Sequence, residues 1–407
     1  MSWELKKLSD CCTSIADGDH QAPPKAASGI PFVTISNINT ANQFDFTNTM
    51  FVPHSYYDSL DSKRKAQKGD ILYSVVGSFG IPVYMRETIP FVFQRHIAIL
   101  RPNSTILPQF LYYTMLSRDF HMMADAAAIG AAQRTVSLTA LRKIKIAVPQ
   151  MDIQKRIVNV LSAYDSLIEN NQKQLKLLEE AAQRLYKEWF VDLRFPDHET
   201  TPVVDGVPEG WAYKPLSEVF DYIRGKSYSS KELSDTIGVL MVNLKSIRAF
   251  GGYNRNAEKR FIGQYKENQV LSSGDVIMGV TDMTQERRLV GHAALIPDMG
   301  EKMIFSMDLI KLIPKLTNSL FLYSALYYGG LSKQISPLAN GVNVLHLKPE
   351  AMMKIKLLIP CERVLKQYCR LFSSIVARIE FLQKQCDVAA EARDRLLPKL
   401  MSGEIEV

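Results

Sequence analysis

The chain is written twice. Trp3-Glu4-Leu5-Lys6-Lys7-Leu8-Ser9-Asp10 reads again, 208 residues later, as Trp211-Ala212-Tyr213-Lys214-Pro215-Leu216-Ser217-Glu218. Gly69-Asp70-Ile71-Leu72 returns as Gly274-Asp275-Val276-Ile277, and Lys143-Ile144-Lys145-Ile146-Ala147-Val148-Pro149 returns as Lys354-Ile355-Lys356-Leu357-Leu358-Ile359-Pro360. One such match could be chance. Three in the same order, offset by 205–211 residues, require two copies of one unit. A length of 407 residues suits two globular domains plus additional helix.

Each copy has two parts. Its first 150 or so residues hold short apolar runs between turn signals, such as Ile30-Pro31-Phe32-Val33-Thr34-Ile35 and His96-Ile97-Ala98-Ile99-Leu100. Runs this short and rich in β-branched residues predict strands, with helical patches among them as at 108–128. The expectation is an α/β (α+β) globule with a partly antiparallel, irregular sheet, over 1–150 and again over 211–360.

The second part of each copy is a ladder. After Pro149 the rungs are Ile157, Leu161, Tyr164, Ile168, Asn171, Leu175, Leu178, Ala182, Leu185 and Trp189. After Pro360 they are Tyr368, Phe372, Ile375, Ile379, Leu382, Cys386, Ala389, Arg393, Leu396 and Leu400, each 211 residues on. Spacings that alternate four and three predict long helices with a coiled-coil seam, over 151–195 and 361–407. An amphipathic helix lying on its own globule is the alternative. Asn171 fits either a register-fixing amide in the seam or a solvated edge. Pro398 is expected to end or bend the second helix near Leu397.

About forty helical residues span about 60 Å. The link over 196–210 reaches at most about 50 Å when fully extended. Parallel helices would force it to return the whole helix length, so the helices are expected to be antiparallel. The two globules, related by a pseudo-two-fold axis, would then be held apart by a helical ruler.

Charge supports two polyanion contacts. Net charge is +7, of which residues 1–150 carry +4 (15 Lys+Arg, 11 Asp+Glu) and residues 201–360 carry +4 (19 and 15). Ordinary surface charge is the alternative reading of this modest excess. The five cysteines show no Cys-x-x-Cys spacing, which suits a reducing cytosol. No apolar run approaches membrane-spanning length, so a cytoplasmic location is expected. Catalytic signatures are missing. Ala22-Pro23-Pro24-Lys25 lacks the amide and aromatic of an amino-methyltransferase loop. No phosphate-binding loop, His-Glu-x-x-His or Gly-x-Ser-x-Gly elbow occurs, and Pro196-Asp197-His198-Glu199 lacks the lysine of a nuclease site. No metal site is expected.

Two repeats that open with Trp-x-x-x-x-Leu-Ser and close with Lys-Ile-x-hydrophobic-Pro before a long helix resemble the specificity subunits of Type I restriction–modification systems. The helix endings over 177–195 and 396–405 are the most specific part of that resemblance, which covers the whole chain. The family implies a non-catalytic subunit with two target-recognition domains. Each would read half of a bipartite double-stranded DNA site. The helices would set the spacer and dock two modification (methyltransferase) subunits, and restriction (translocase–nuclease) subunits would join them. S-adenosylmethionine, ATP and magnesium would belong to those partners. The aromatic pair Trp189-Phe190, at what reads as an exposed helix end, is an expected docking point for a methyltransferase subunit.

Base readout needs amides and guanidinium groups on loops, and phosphate contacts need cations and small hydroxyls. In the first domain these criteria select Gln94, Arg95 and His96; Gln133, Arg134 and the adjoining Thr135; and Ser78 in the turn Gly77-Ser78-Phe79-Gly80. Lys63, Arg64 and Lys65 are phosphate candidates. In the second domain they select Gln285, Arg287 and Arg288, in the loop that takes the place of the first domain's glycine turn, with Arg224, Lys226, Lys245 and Asn343 as weaker choices. Arg95 and Arg134 stand out because each follows a polar amide in an apolar stretch. On sequence alone each of these residues also fits an ordinary solvated position.

Overall fold

The repeat motifs are structural partners of each other. In a computed structural model, which describes residues 3–39, 42–77, 79–130, 134–255 and 259–407, the opening strand Glu4–Lys7 pairs antiparallel with Lys145–Val148. In the second copy Ala212–Pro215 pairs with Lys356–Ile359 in the same way. Leu8 N donates to Ile144 O at 2.9 Å, and Leu216 N to Ile355 O at 2.9 Å. The first and last motifs of each repeat therefore form a clasp that closes the domain just before its long helix begins.

Contacts divide the chain into two compact units, Met1–Asn170 with Gln385–Val407, and Asn171–Lys384. Unit 1 holds a four-stranded antiparallel sheet in the order Cys12–Asp17, Ile97–Pro102, Ile71–Ser74, Pro82–Tyr84. Unit 2 repeats that order with Phe220–Arg224, Leu309–Pro314, Val276–Gly279 and Ala293–Leu295. A second, mixed sheet also recurs. Met50–Val52, Ile30–Val33 and Val92–Phe93 in unit 1 match Lys259–Phe261, Val239–Val242 and Met303–Phe305 in unit 2. The α/β expectation with a partly antiparallel sheet holds in both units.

The recurring Gly-Asp explains itself locally. Gly69 and Gly274 take φ of +92° and +85°, values that suit glycine. The Asp70 carboxylate then accepts from Gln67 N at 2.9 Å, and Asp275 from Ser272 N at 2.9 Å, which caps the turn into a buried strand. Asp70 also takes both arms of the Arg101 guanidinium at 2.9 Å.

The two long helices are α1 (Met151–Tyr186), continued by a π-helical turn over Lys187–Val191, and α2 (Glu362–Ser402). Every one of the twenty ladder positions is buried or half-buried. The helix segments run antiparallel within each unit. In unit 1, Asp165 bonds Arg393 at 2.8 Å, while Cys386 Sγ lies 3.8 Å from Ile168 O. In unit 2, Gln174 accepts from Arg378 at 3.1 Å, and the Trp189 ring packs 5.9 Å from Tyr368. In each unit the α2 number falls as the α1 number rises. The ladder ends also enter globular cores, so both readings of it apply. Ile157, Leu161 and Leu400 join the unit 1 core with Leu8 and Phe110. Trp189, Tyr368 and Phe372 join the unit 2 core with Phe220 and Phe321. Each such side chain contributes about 1.5–3 kcal/mol by leaving water. Asn171 is buried, which removes the solvated-edge alternative.

Three expectations need correction. The first helix ends at Val191 rather than at 195, and Leu193 turns the chain with φ +55°. Pro398 does not end the second helix, which continues to Ser402. The cost of its missing N–H falls within the last turns, where buried Leu397 and Leu400 hold the helix against the core. Lys187, its counterpart 211 residues earlier, is where α1 passes into the π turn, so the same repeat position carries a π turn in α1 and a residue without an N–H in α2. The Trp189-Phe190 pair is not exposed. Both rings are buried among Tyr368, Phe321 and Trp211, which removes the ground for a docking role.

Candidate nucleic-acid interface

In unit 1 a buried carboxylate gathers two of the groups selected from sequence. Asp19 follows Gly18, which lies so close to the 93–94 main chain that an added Cβ would stand 2.2 Å from Phe93 O. Asp19 N donates to Phe93 O at 2.8 Å, and Arg95 N donates back to Asp19 O at 3.0 Å. The Asp19 carboxylate accepts from Tyr56 Oη and from Gln21 N at 3.2 Å, and pairs with Arg64 at 3.8 Å. The turn Gln94-Arg95-His96 and the run Lys63-Arg64-Lys65 are therefore held around one anchor. Lys65 reaches Asp58 O at 2.9 Å and lies over the Tyr57 ring at 5.1 Å. Lys63 is exposed beside a cleft lined by Thr13, Ser14, Arg64 and Arg142.

The third group joins the same edge through main-chain bonds. Val75 N donates to His96 O at 2.9 Å, and Gly77 N donates to Arg134 O at 3.0 Å. Arg134 is half-exposed and paired with Asp125 at 3.0 Å. Arg95 differs. Its side chain is exposed and, among the described residues, has no hydrogen-bond or ion-pair partner. Ser78 and Gln133 lie outside the described residues.

Unit 2 rebuilds this frame bond for bond. Lys226 N donates to Phe305 O at 2.8 Å, Met307 N to Lys226 O at 2.9 Å, and Val280 N to Asp308 O at 2.9 Å. Gly225 meets the same restriction as Gly18, with an added Cβ 2.0 Å from Ser306 O. Thr281 and Asp282 pair with His346 and Leu345, as Val76 and Gly77 do with Thr135 and Arg134. The frame therefore matches Gln94, Arg95 and His96 with Ser306, Met307 and Asp308, Asp19 with Lys226, and Arg134 with Leu345.

The loop selected in unit 2 does replace the glycine turn. Gly80 N bonds Ser74 O at 3.0 Å, and Gly291 N bonds Gly279 O at 2.8 Å, so 280–291 corresponds to 75–80 with six residues added. Asp282, fully buried, organises the addition. Its carboxylate accepts from Thr284 N and Oγ1 at 2.8 Å, Leu289 N at 2.5 Å and Val290 N at 3.2 Å. Burial pushes this carboxyl up, but those bonds outweigh burial and hold it below its ordinary range. The loop presents Gln285, which donates to Val342 O at 2.7 Å, and Arg288, which pairs with Glu286. Arg287 sits at φ +53°, with its Nε buried and unpartnered. Phe250 N donates to Arg288 O at 2.7 Å, tying the 244–254 segment, with exposed Lys245, to the loop. Asn343 is exposed, Lys226 half-buried, and Arg224 lies 3.4 Å from Glu350 over the Tyr222 ring.

Selection by polarity missed the anchors Asp19 and Asp282, and it missed the exposed apolar tips Met283, Met307 and Val342. Asp19 leaves a trace, because each repeat sets a charged residue after a glycine at the same point, Gly18-Asp19 and Gly225-Lys226, whereas Asp282 leaves none. The tips leave none. The arrangement offers guanidinium, ammonium and amide donors on braced turns. Among the described residues no group of three or more His, Cys, Asp or Glu is placed to hold a metal ion, and no helix is long and apolar enough to cross a membrane.

The curated proteins and solved structures that this chain resembles include specificity subunits. Residues 1–180 and 208–386 each match the family model described as the Type I restriction modification DNA specificity domain. The MjaIX specificity subunit of Methanocaldococcus jannaschii is 24% identical over 364 residues, covering 85% of this chain and 80% of that one. The HindI specificity subunit of Haemophilus influenzae is 22% identical, covering 92% and 95%. In fold, the chain resembles the crystal structure of a Type-I restriction-modification S subunit from M. genitalium, with a TM-score of 0.64 at 16% identity over 98% of this chain and 96% of that one. With the family domain present twice and spanning most of its length, this chain belongs to the Type I restriction–modification specificity subunits.

Proposed function

We propose that the two units read the two halves of a bipartite double-stranded DNA site and catalyse nothing themselves. The observation that carries this reading is the frame rebuilt in each unit with different side chains on its exposed turns. Two readers of one duplex at two different half-sites need a common scaffold and separate chemistry. The antiparallel helix pairing in each unit supports a spacer role for α1 and α2. Their exposed faces are the surfaces left for two modification subunits, since the Trp189-Phe190 pair is used internally. Restriction subunits complete the endonuclease. S-adenosylmethionine, ATP and magnesium act in those partners, and the complex works in the cytoplasm.

The test is to map methylated adenines in DNA exposed to the modification subunit with and without this chain. A split consensus that appears only with the chain is the expected result. Methylation by this chain alone, given methyl donor and magnesium, would overturn the non-catalytic reading. DNA affinity of the complex that does not change with salt would overturn the phosphate contacts at Lys63, Arg64 and Lys65.

A further inference from the structure

We infer that Arg95 and Met307 occupy one and the same base-reading station in the two units, and that the station reads guanine in unit 1 and the methyl group of thymine in unit 2. This rests on the proposed reading of DNA by both units and deepens it.

The equivalence comes from bonding rather than alignment. In each unit the residue two before the station accepts from an amide on one side (Phe93 O from Asp19 N; Phe305 O from Lys226 N). The station's own amide donates to the residue after the tightly packed glycine, at 3.0 Å from Arg95 and 2.9 Å from Met307. The residue after the station accepts from Val75 N or Val280 N, at 2.9 Å in both. The turn closes through Ile97 N to Gln94 O and Leu309 N to Ser306 O, both at 3.0 Å. Four bonds fix the main chain, so the two side chains leave the turn from the same point of the frame.

Their chemistry then differs in kind. Around Arg95, the cations Arg64, Arg134 and Arg142 are each engaged, with Asp19, Asp125 and Ile15 O respectively. Among the described residues, Arg95 is the guanidinium of this group whose donors have no partner, and such a fork matches guanine O6 and N7 in the major groove. Met307 is 54% exposed and can neither donate nor pair a charge. It stands beside Asp308, whose carboxylate takes the Thr281 hydroxyl at 3.0 Å, at the root of the loop that carries Met283 at 79% exposure. Val342, at 87%, is tied to that loop through Gln285. Three exposed apolar tips on braced loops call for an apolar partner. On the base edges of the major groove, that partner is the thymine C5-methyl.

The experiment uses the complex of this chain with its modification subunit, methyl donor and a randomised DNA library, sequenced for methylated sites. For R95M, the expected result is loss of selection for guanine at one position of one half-site, by about tenfold to a hundredfold, with the other half unchanged. For M307R, one thymine position in the opposite half-site shifts toward guanine. R95K should retain weaker guanine selection. An unchanged consensus in all three variants would overturn the inference while leaving the two-reader function intact. Uniform weakening at every position would also overturn it, because that is the signature of a phosphate contact. Absence of a split consensus in the unaltered complex would instead overturn the function itself. Where a variant complex methylates nothing, the library it captures is sequenced directly, and retained guanine or thymine selection there counts against the inference.

Discussion

The two units spend their likeness and their difference in separate places. Main-chain bonds, sheet order and the glycine contacts recur, down to amide bonds that agree within about 0.1 Å between Asp19 or Lys226 and their partners. Buried side chains on those bonds recur, as Phe93 with Phe305 and Val75 with Val280, but the exposed ones do not. Arg95 becomes Met307, Arg134 becomes Leu345, and a six-residue insertion braced by Asp282 stands where unit 1 has a glycine turn. The helix contacts differ too. Unit 1 joins α1 to α2 through Asp165, which holds both Arg393 at 2.8 Å and Tyr113 Oη at 2.5 Å. Unit 2 uses a cluster of Tyr186, Trp189, Phe190, Tyr368 and Phe372. A backbone frame can be inherited unchanged because it asks little of the side chains that point away from it.

The sharpest way to break this comparison is at the shared glycines. Gly18→Ala and Gly225→Ala each drive a methyl into a carbonyl oxygen, and each should destabilise its own unit by about 3 kcal/mol or more. Chemical denaturation checks this, and tolerance of either change would show that the frame is not equally tight in both units. At the helices, Phe190→Ala should cost unit 2 about 3–5 kcal/mol through the cavity it leaves. Asp165→Ala should cost unit 1 about 1–3 kcal/mol, by stranding Arg393 and Tyr113. Equal losses in thermal melts would mean that the polar and aromatic junctions are interchangeable.

Acid should separate the units further. Burial holds the His292 imidazole below its ordinary 6.5, against the pull of the Phe250 and Arg287 main chain. A histidine with a depressed folded value stabilises the fold fully above about pH 6.5 and less as pH falls through the folded value. Asp282, also depressed, contributes fully above about pH 4 and is lost below it. Position 292 corresponds to Ile81 in unit 1, which does not titrate. Amide exchange between pH 7 and 5 should therefore loosen 283–291 before residues 79–81 of unit 1, and His292→Leu should remove that early step. The smallest effect is expected from the surface: Lys63→Ala should lower the salt slope of DNA binding by about one, with no change in consensus.

The duplication, the antiparallel helices and all twenty ladder rungs were legible because each rests on periodicity, which a sequence displays directly. The clasp between the opening and closing motifs was not, since strand pairing over more than 130 residues leaves no local mark. Arg95, Lys63 and the 285–288 loop were legible as polar groups near turns. Whether a cation is free or engaged depends on neighbours distant in sequence, as Arg64 with Asp19 and Arg393 with Asp165 make plain. The Trp189-Phe190 pair misled for the same reason: a large aromatic pair at a helix end looks exposed until Tyr368, 179 residues away, covers it.

The route of the chain sets an order of assembly. It leaves unit 1 after Asn170 and re-enters at Gln385, and the buried cluster around Leu8 and Phe110 includes Leu397 and Leu400. The N-terminal globule therefore completes its core only with residues made after the whole of unit 2. The domain translated first is the last to be finished.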